Sequence, residues 1–286
     1  MPQAKNIHWF PGHMKRALSE IKMRTSIVDI SVIILDARAP HSSSNKILEQ
    51  ALIDKKKLYV LAKADLCDPK YLEKNLEYFW SRGIDCIAIN LKEKHASDIL
   101  KNKLEKMGES KWEREKEKGM KPQPLKTMIV GIPNVGKSTL INKLVKKRKA
   151  SVQDKPGETR GEQWIKLEST LWLLDTPGIL PSQFPSIYEA MNVAFLGSIK
   201  QNILPTSRLA NHLLQYLDKY YSELLLERYG EEIYQTNDLN SFFNNLMIKR
   251  GYTDIEKAES TFLYEYRKGM IGKTYLEIEY ERKETI

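Results

Sequence analysis

Residues 131–138 read Gly131-Ile132-Pro133-Asn134-Val135-Gly136-Lys137-Ser138, the GxxxxGK[ST] spacing of a phosphate-binding loop. In such a loop successive backbone N–H groups and a helix N-terminus point into one concavity that suits an anion. Gly131 and Gly136 permit the backbone angles, and Lys137 supplies a mobile cation for β- and γ-phosphates. Ser138 offers a hydroxyl to Mg2+, a cation that prefers oxygen ligands. Asn134, Val135 and Thr139 complete the stretch that a nucleotide would touch. An apolar strand pattern, Thr127 to Val130, leads into the loop and a helical pattern, Ser138 to Lys147, leaves it.

Asp175-Thr176-Pro177-Gly178 follows a second apolar strand, Leu171 to Leu174. Asp175 is placed to hold Mg2+ through water, and the Gly178 N–H to meet a γ-phosphate and sense its loss. Between the two motifs, Pro156-Gly157-Glu158-Thr159 lies in a polar segment, and Thr159 is the choice for a further ligand to Mg2+. Base reading falls to Ala62-Lys63-Ala64-Asp65, at the end of the apolar run Leu58 to Leu61. A carboxylate at Asp65 can accept hydrogen bonds from guanine N1–H and the 2-amino group. Adenine offers neither donor and would leave the carboxylate unpaired. The Lys63 stem can lie over the base plane. An ordinary GTPase places the phosphate loop first and the base-reading loop near its end; in this chain the order is rotated.

Strands alternating with helices predict an α/β fold, a mostly parallel sheet with helices on both faces. Residues 7–26 hold an amphipathic helix carrying Ala17, Leu18 and Ile21, and Ile30 to Leu35 is a buried strand opening into Asp36-Ala37-Arg38-Ala39-Pro40. Tyr71 to Arg82 and Ser97 to Lys106 read as helices, with a strand at Cys86 to Ile89. Gln163 to Leu167 and Leu171 to Leu174 read as an antiparallel hairpin. Mixed charge marks residues 107–123 as a partly helical connector. The expected division is an N-terminal segment and helix at 1–26, a nucleotide domain at 27–180, a linker at 181–204 and an all-helical domain at 205–286.

The chain has 286 residues, 41% of them hydrophobic, enough for this domain and a second, smaller one. Its net charge of +9 is unevenly spread. Residues 206–286 hold 11 basic against 14 acidic side chains, and the rest 35 against 23. Such an excess favours polyanions through counterion release, or simply serves solubility. Its densest cluster is Lys143, Lys146, Lys147, Arg148 and Lys149. No apolar run reaches membrane-spanning length and no secretory signal opens the sequence, so a cytoplasmic location is expected. Cys67 and Cys86 match neither a metal site nor a disulfide framework.

Taken in this order, the residues resemble the circularly permuted GTPases of the YlqF (RbgA) type over nearly the whole chain. The resemblance rests on Trp9-Phe10-Pro11-Gly12-His13-Met14, Asp36 to Pro40, the base-reading tetrapeptide, residues 131–139, Pro156 to Thr159 and Asp175 to Leu180. It implies GTP hydrolysis, with GTP, GDP and Mg2+ bound, coupled to late maturation of the large ribosomal subunit. The implied partners are the subunit precursor and its ribosomal RNA, touched by the C-terminal helical domain, with no membrane and no DNA; the chain is read as a monomer. Asn90-Leu91 aligns with the family's other base-side loop. Many GTPases orient water with a Gln after the Gly of the Asp-Thr-Pro-Gly motif, where this chain has Ile179. The family points instead to His13, with His8 a weaker candidate; the alternative is that His13 only caps the first helix. Asn134 matches an asparagine that ligates K+ in potassium-dependent relatives.

Two further functions compete with a GTPase acting on the assembling subunit. One is a nucleotide-sensing RNA-binding module whose hydrolysis is incidental. The other is an ATP-dependent kinase, disfavoured by Asp65. Family members carry Asn where this chain has Ala62, and that Asn bridges guanine and the phosphate loop. Each lost hydrogen bond is worth roughly 0.5–1.5 kcal/mol, so Ala62→Asn should tighten GDP binding about ten-fold with guanine preference retained. Calorimetry giving equal affinities for the two proteins excludes that effect.

Overall fold

The computed structural model describes residues 12–151, 164–167, 169–199, 204–235 and 238–279, without the side chains of His13 and residues 146–151. Among the described residues six strands form one sheet: β1 (Ile30–Asp36), β2 (Lys56–Ala62), β3 (Cys86–Ile89), β4 (Leu125–Val130), β5 (Trp164–Lys166) and β6 (Leu171–Asp175). Their spatial order is β3-β2-β1-β4-β6-β5. Every pairing is parallel except the β5–β6 edge, so the mostly parallel sheet and the hairpin are both as the patterns predict. All seven residues of β1 are buried, which a central strand covered on both faces requires.

The helices are α1 (Gly12–Arg24), α2 (Pro40–Ser43), α3 (Lys46–Ala51), α4 (Pro69–Ser81), α5 (Ala96–Glu117), α6 (Lys137–Ser151), α7 (Ile187–Phe195), α8 (Thr206–Tyr229), α9 (Phe242–Arg250) and α10 (Ile255–Lys268). Helix α5 continues well into the stretch expected as connector. Its buried residues Leu100, Leu104 and Gly108 recur every fourth position and prolong one face that the mixed charge conceals. Gly108 lies where a Cβ would come within 3.1 Å of Leu125, so the helix sits tightly on β4. The expected linker contains α7, capped by Ser186 and burying Ala190, Val193, Ala194 and Phe195.

Helices α8, α9 and α10 close around Tyr229, Phe242, Phe243 and Phe262, whose rings meet largely edge to face. After α10 the chain returns to the sheet. Thr274 N–H donates to the Leu66 carbonyl and Leu276 N–H to that of Arg38. The Glu277 carboxylate accepts the backbone N–H groups of His41 and Ser42. Tyr275 stacks on Tyr71 at 4.6 Å. Both cysteines are buried thiols; burial pushes Cys86 up to about 12 and Cys67 higher still. Among the described residues no helix is long and apolar enough to cross a membrane.

Candidate nucleotide-binding site

The parallel strands all end at one edge, and the residues singled out by motif follow those ends. Asp36 closes β1 and is aligned with Ala62, the last residue of β2. Ala62 is aligned with Ile89, after which Asn90 begins its turn. Val130 opens into the phosphate loop, and Asp175 closes β6 beside Ile129. Open α/β sheets bind ligands in the crevice outside such carboxyl ends.

Backbone geometry in the phosphate loop follows residue type. Gly131 and Gly136 both have positive φ. A Cβ on Gly131 would stand 2.6 Å from the Ile34 carbonyl oxygen, which excludes any larger residue there. Val135 is fully buried under the loop, and Ser138 and Thr139 are exposed at the first turn of α6. The Lys137 ammonium is tucked inward, donating to the Gly131 and Ile132 carbonyls at 3.2 and 2.8 Å. Burial disfavours its charge and pulls its pKa down to about 8, opposed in part by Asp175. A triphosphate would offer this ammonium stronger, anionic acceptors.

Lys63 joins the base-reading loop to the phosphate loop. It adopts the left-handed backbone conformation, φ 57°, and its Nζ donates to the Asn134 carbonyl at 2.8 Å and to Asp36 Oδ2 at 2.8 Å. Asp36 is fully buried. Arg38 grips it with Nε on Oδ1 at 3.0 Å and Nη2 on Oδ2 at 2.9 Å. Burial would raise the Asp36 pKa, but the two cations hold its carboxyl well below the usual carboxylate range. The sequence reading left Asp36 and Arg38 without a chemical role. The available signal was a charged residue ending an otherwise apolar strand.

The remaining candidates fall around the same edge. Asp65 pairs with the exposed Lys92 at 2.8 Å. Asn90 turns its own loop, accepting from Lys92 N–H and donating to Glu93, while Leu91 packs near Gly136 and its carbonyl accepts from Lys143. Ala62 is buried and sits near Gly136, so the base loop and phosphate loop meet here through a methyl group. Ala64 opens the short turn after Lys63. Asn134 has φ 61° and donates its amide to the Gly197 carbonyl at 2.6 Å. Ile179 is fully buried, its N–H on Gly131 and its carbonyl accepting from Asn45. Thr159 and His8 lie outside the described residues, as does the His13 side chain, although His13 falls in the first turn of α1.

The donor set fits Mg2+. Ser138 supplies an exposed hydroxyl and Asp175 a carboxylate, both hard oxygen ligands. Burial raises the Asp175 pKa, with the Thr176 N–H and Lys137 opposing, so this carboxylate gains from a cation beside it.

A family profile described as 50S ribosome-binding GTPase matches residues 126–246. Ribosome biogenesis GTPase A of Bacillus cereus is 36% identical over 276 residues, covering 95% of this chain and 93% of that protein. This chain belongs to the ribosome biogenesis GTPase A family. The family's Thermotoga maritima member is 32% identical over 284 residues, covering 97% of this chain and 95% of its own. The crystal structure of GNP-bound YlqF from T. maritima has a TM-score of 0.62 and 27% identity, covering 91% of this chain and 97% of that one. The resemblance drawn from the motifs and the fold class drawn from the strand rhythm both agree with these relatives.

Gly178 lies directly on the phosphate loop. A Cβ there would stand 2.7 Å from Pro133 N and 2.8 Å from its Cα, backbone atoms that cannot turn aside. Gly178→Ala should therefore cost the nucleotide-free chain about 1–3 kcal/mol. An unaltered urea midpoint would show that the two loops do not touch.

Proposed function

We propose that the chain binds guanine nucleotide in the crevice at the strand ends and hydrolyses GTP during a late step of large ribosomal subunit assembly. GTPase activity in ribosome assembly is what membership of the family carries. The late step, the subunit precursor and its ribosomal RNA are the finer reading. One observation carries the site: Lys63 Nζ on the Asn134 carbonyl at 2.8 Å, which joins two motifs far apart in a rotated chain.

In this reading Lys63 lies over the base and Asp65 leaves Lys92 to accept guanine N1–H and the 2-amino group. Lys137 leaves the Gly131 and Ile132 carbonyls for the β- and γ-phosphates, and loop N–H groups take the remaining charge. Water attacks the γ-phosphorus, the bond to the β-phosphate oxygen breaks, and GDP and phosphate depart. Ser138, Asp175 and Thr159 would hold Mg2+, which neutralises charge on the phosphates when bound. Val135, Gly136 and Thr139 contribute loop contacts, Gly178 the γ-phosphate contact, and Asn90 and Leu91 the far side of the base. Asn134 is the proposed K+ ligand and His13 the proposed orienter of water. Turnover measured with large subunits present should fall in His13→Ala and on exchange of KCl for NaCl. An unchanged rate in either case removes that role.

The helical region from residue 205 is the proposed RNA-facing part, and residues 27–180 the catalytic one. Its net acidity argues for a few basic contacts, such as Lys249, Arg250 and Lys268, over bulk attraction. We also read the protein as a cytoplasmic monomer. The competing module reading expects hydrolysis that ribosomal particles do not accelerate. Sedimentation with large subunits should retain the protein with a non-hydrolysable GTP analogue and release it with GDP. Equal retention with both ligands overturns the nucleotide-gated reading.

A further inference from the structure

The base-reading loop has two sides. One faces the crevice; the other rests against α10 and the segment that follows it. Gly269, just past α10, has φ 74° and lies where a Cβ would overlap the side chain of Leu66, the residue after Asp65. Thr274 N–H donates to the Leu66 carbonyl at 3.0 Å, and Asp68 N–H donates back to Thr274 at 3.3 Å. Beneath this backing, Arg38 Nη1 donates to the Tyr266 carbonyl at 3.3 Å, and its guanidinium lies 5.2 Å from the centre of the Tyr266 ring. Arg38 thus holds Asp36 with one edge and α10 with the other.

We propose that Asp36 and Arg38 are positioning residues for the base-reading lysine, and that they couple guanine-nucleotide binding to the seating of α10 and residues 269–276. The inference rests on the guanine reading given above and deepens it by naming what regulates that site. Asp36 fixes the Lys63 ammonium against the phosphate loop. Arg38 fixes Asp36, and its Nη1 donates to the Tyr266 carbonyl of α10. Asp36 serves both cations at once: Arg38 Nη2 and Lys63 Nζ donate to the same Oδ2, so a shift of the buried Arg38 moves the acceptor that places Lys63. A second contact meets the neighbouring residue of α10. Arg267 donates to the Ala194 and Phe195 carbonyls and packs on Gly197, whose carbonyl accepts the Asn134 amide from the phosphate loop.

Coupling of this kind is reciprocal. Nucleotide that steadies Lys63 steadies α10, and a partner that draws α10 away loosens nucleotide by the same factor. The partner class that follows is whatever macromolecule binds the helical region, with release of GDP as its consequence.

Amide hydrogen exchange at residues 262–276, with and without saturating GDP, tests the proposal. In the unmodified chain GDP should slow exchange there several-fold. In Arg38→Lys that GDP-dependent slowing should vanish while GDP still binds, about ten-fold more weakly. Lys63→Met, a change at a partly exposed side chain, should abolish the slowing at GDP concentrations that still saturate it and serves if Arg38→Lys does not fold. A merely structural role would speed exchange equally with and without GDP. That result, or wild-type slowing retained in the variants, overturns the coupling. GDP bound by the unmodified chain without any slowing overturns the inference alone. No GDP binding at all overturns the guanine reading, and this inference with it.

Discussion

A carboxylate shut away from water stays ionised only if cations come to it, and Asp36 is such a carboxylate. Arg38 and Lys63 answer that demand, and each arrives with an obligation elsewhere. Lys63 must adopt a left-handed backbone to reach inward, which turns the base-reading loop toward the phosphate loop. Arg38 gives a third N–H to the Tyr266 carbonyl, which ties the loop after β1 to the helical region. The site's shape at this edge is in large part the geometry needed to keep one buried charge neutralised.

The phosphate loop obeys a different constraint. Gly131 leaves room where the Ile34 carbonyl comes too close for a side chain, and Gly178 does the same against the loop's Pro133 backbone. Lys137 takes the loop's own Gly131 and Ile132 carbonyls as acceptors. The loop is therefore organised, with its cation satisfied internally and its exposed hydroxyls, Ser138 and Thr139, turned outward. In the proposed function, binding would exchange one set of acceptors for another in a loop already shaped.

Much of this was legible in the residues. Continuous apolar runs gave the buried strands within one or two positions, because a strand covered on both faces has no polar side to show. The glycine spacing, the Ala62 to Asp65 tetrapeptide and Asp175 to Gly178 were legible because each is written in adjacent residues, and the sheet brings all three to one edge. What escaped was non-local. The Asp36 carboxylate is satisfied by a neighbour two residues on and a lysine far along the chain, and no periodicity announces that. The extent of α5 was hidden by charge, since Leu100, Leu104 and Gly108 are a thin stripe on a polar helix. The return of residues 274–277 to the sheet was equally silent, being carried mainly by backbone bonds and a buried Glu277.

The rotated order also fixes when the pieces can meet. Arg38 and Tyr266 are separated by 228 positions, and the loop after Asp65 waits for Thr274 as its neighbour. Contacts of such long sequence separation close late and slowly. On an elongating chain this edge of the crevice would thus be unfinished until residues 266–274 had left the ribosomal tunnel. A newly made molecule would remain blind to nucleotide for most of its synthesis.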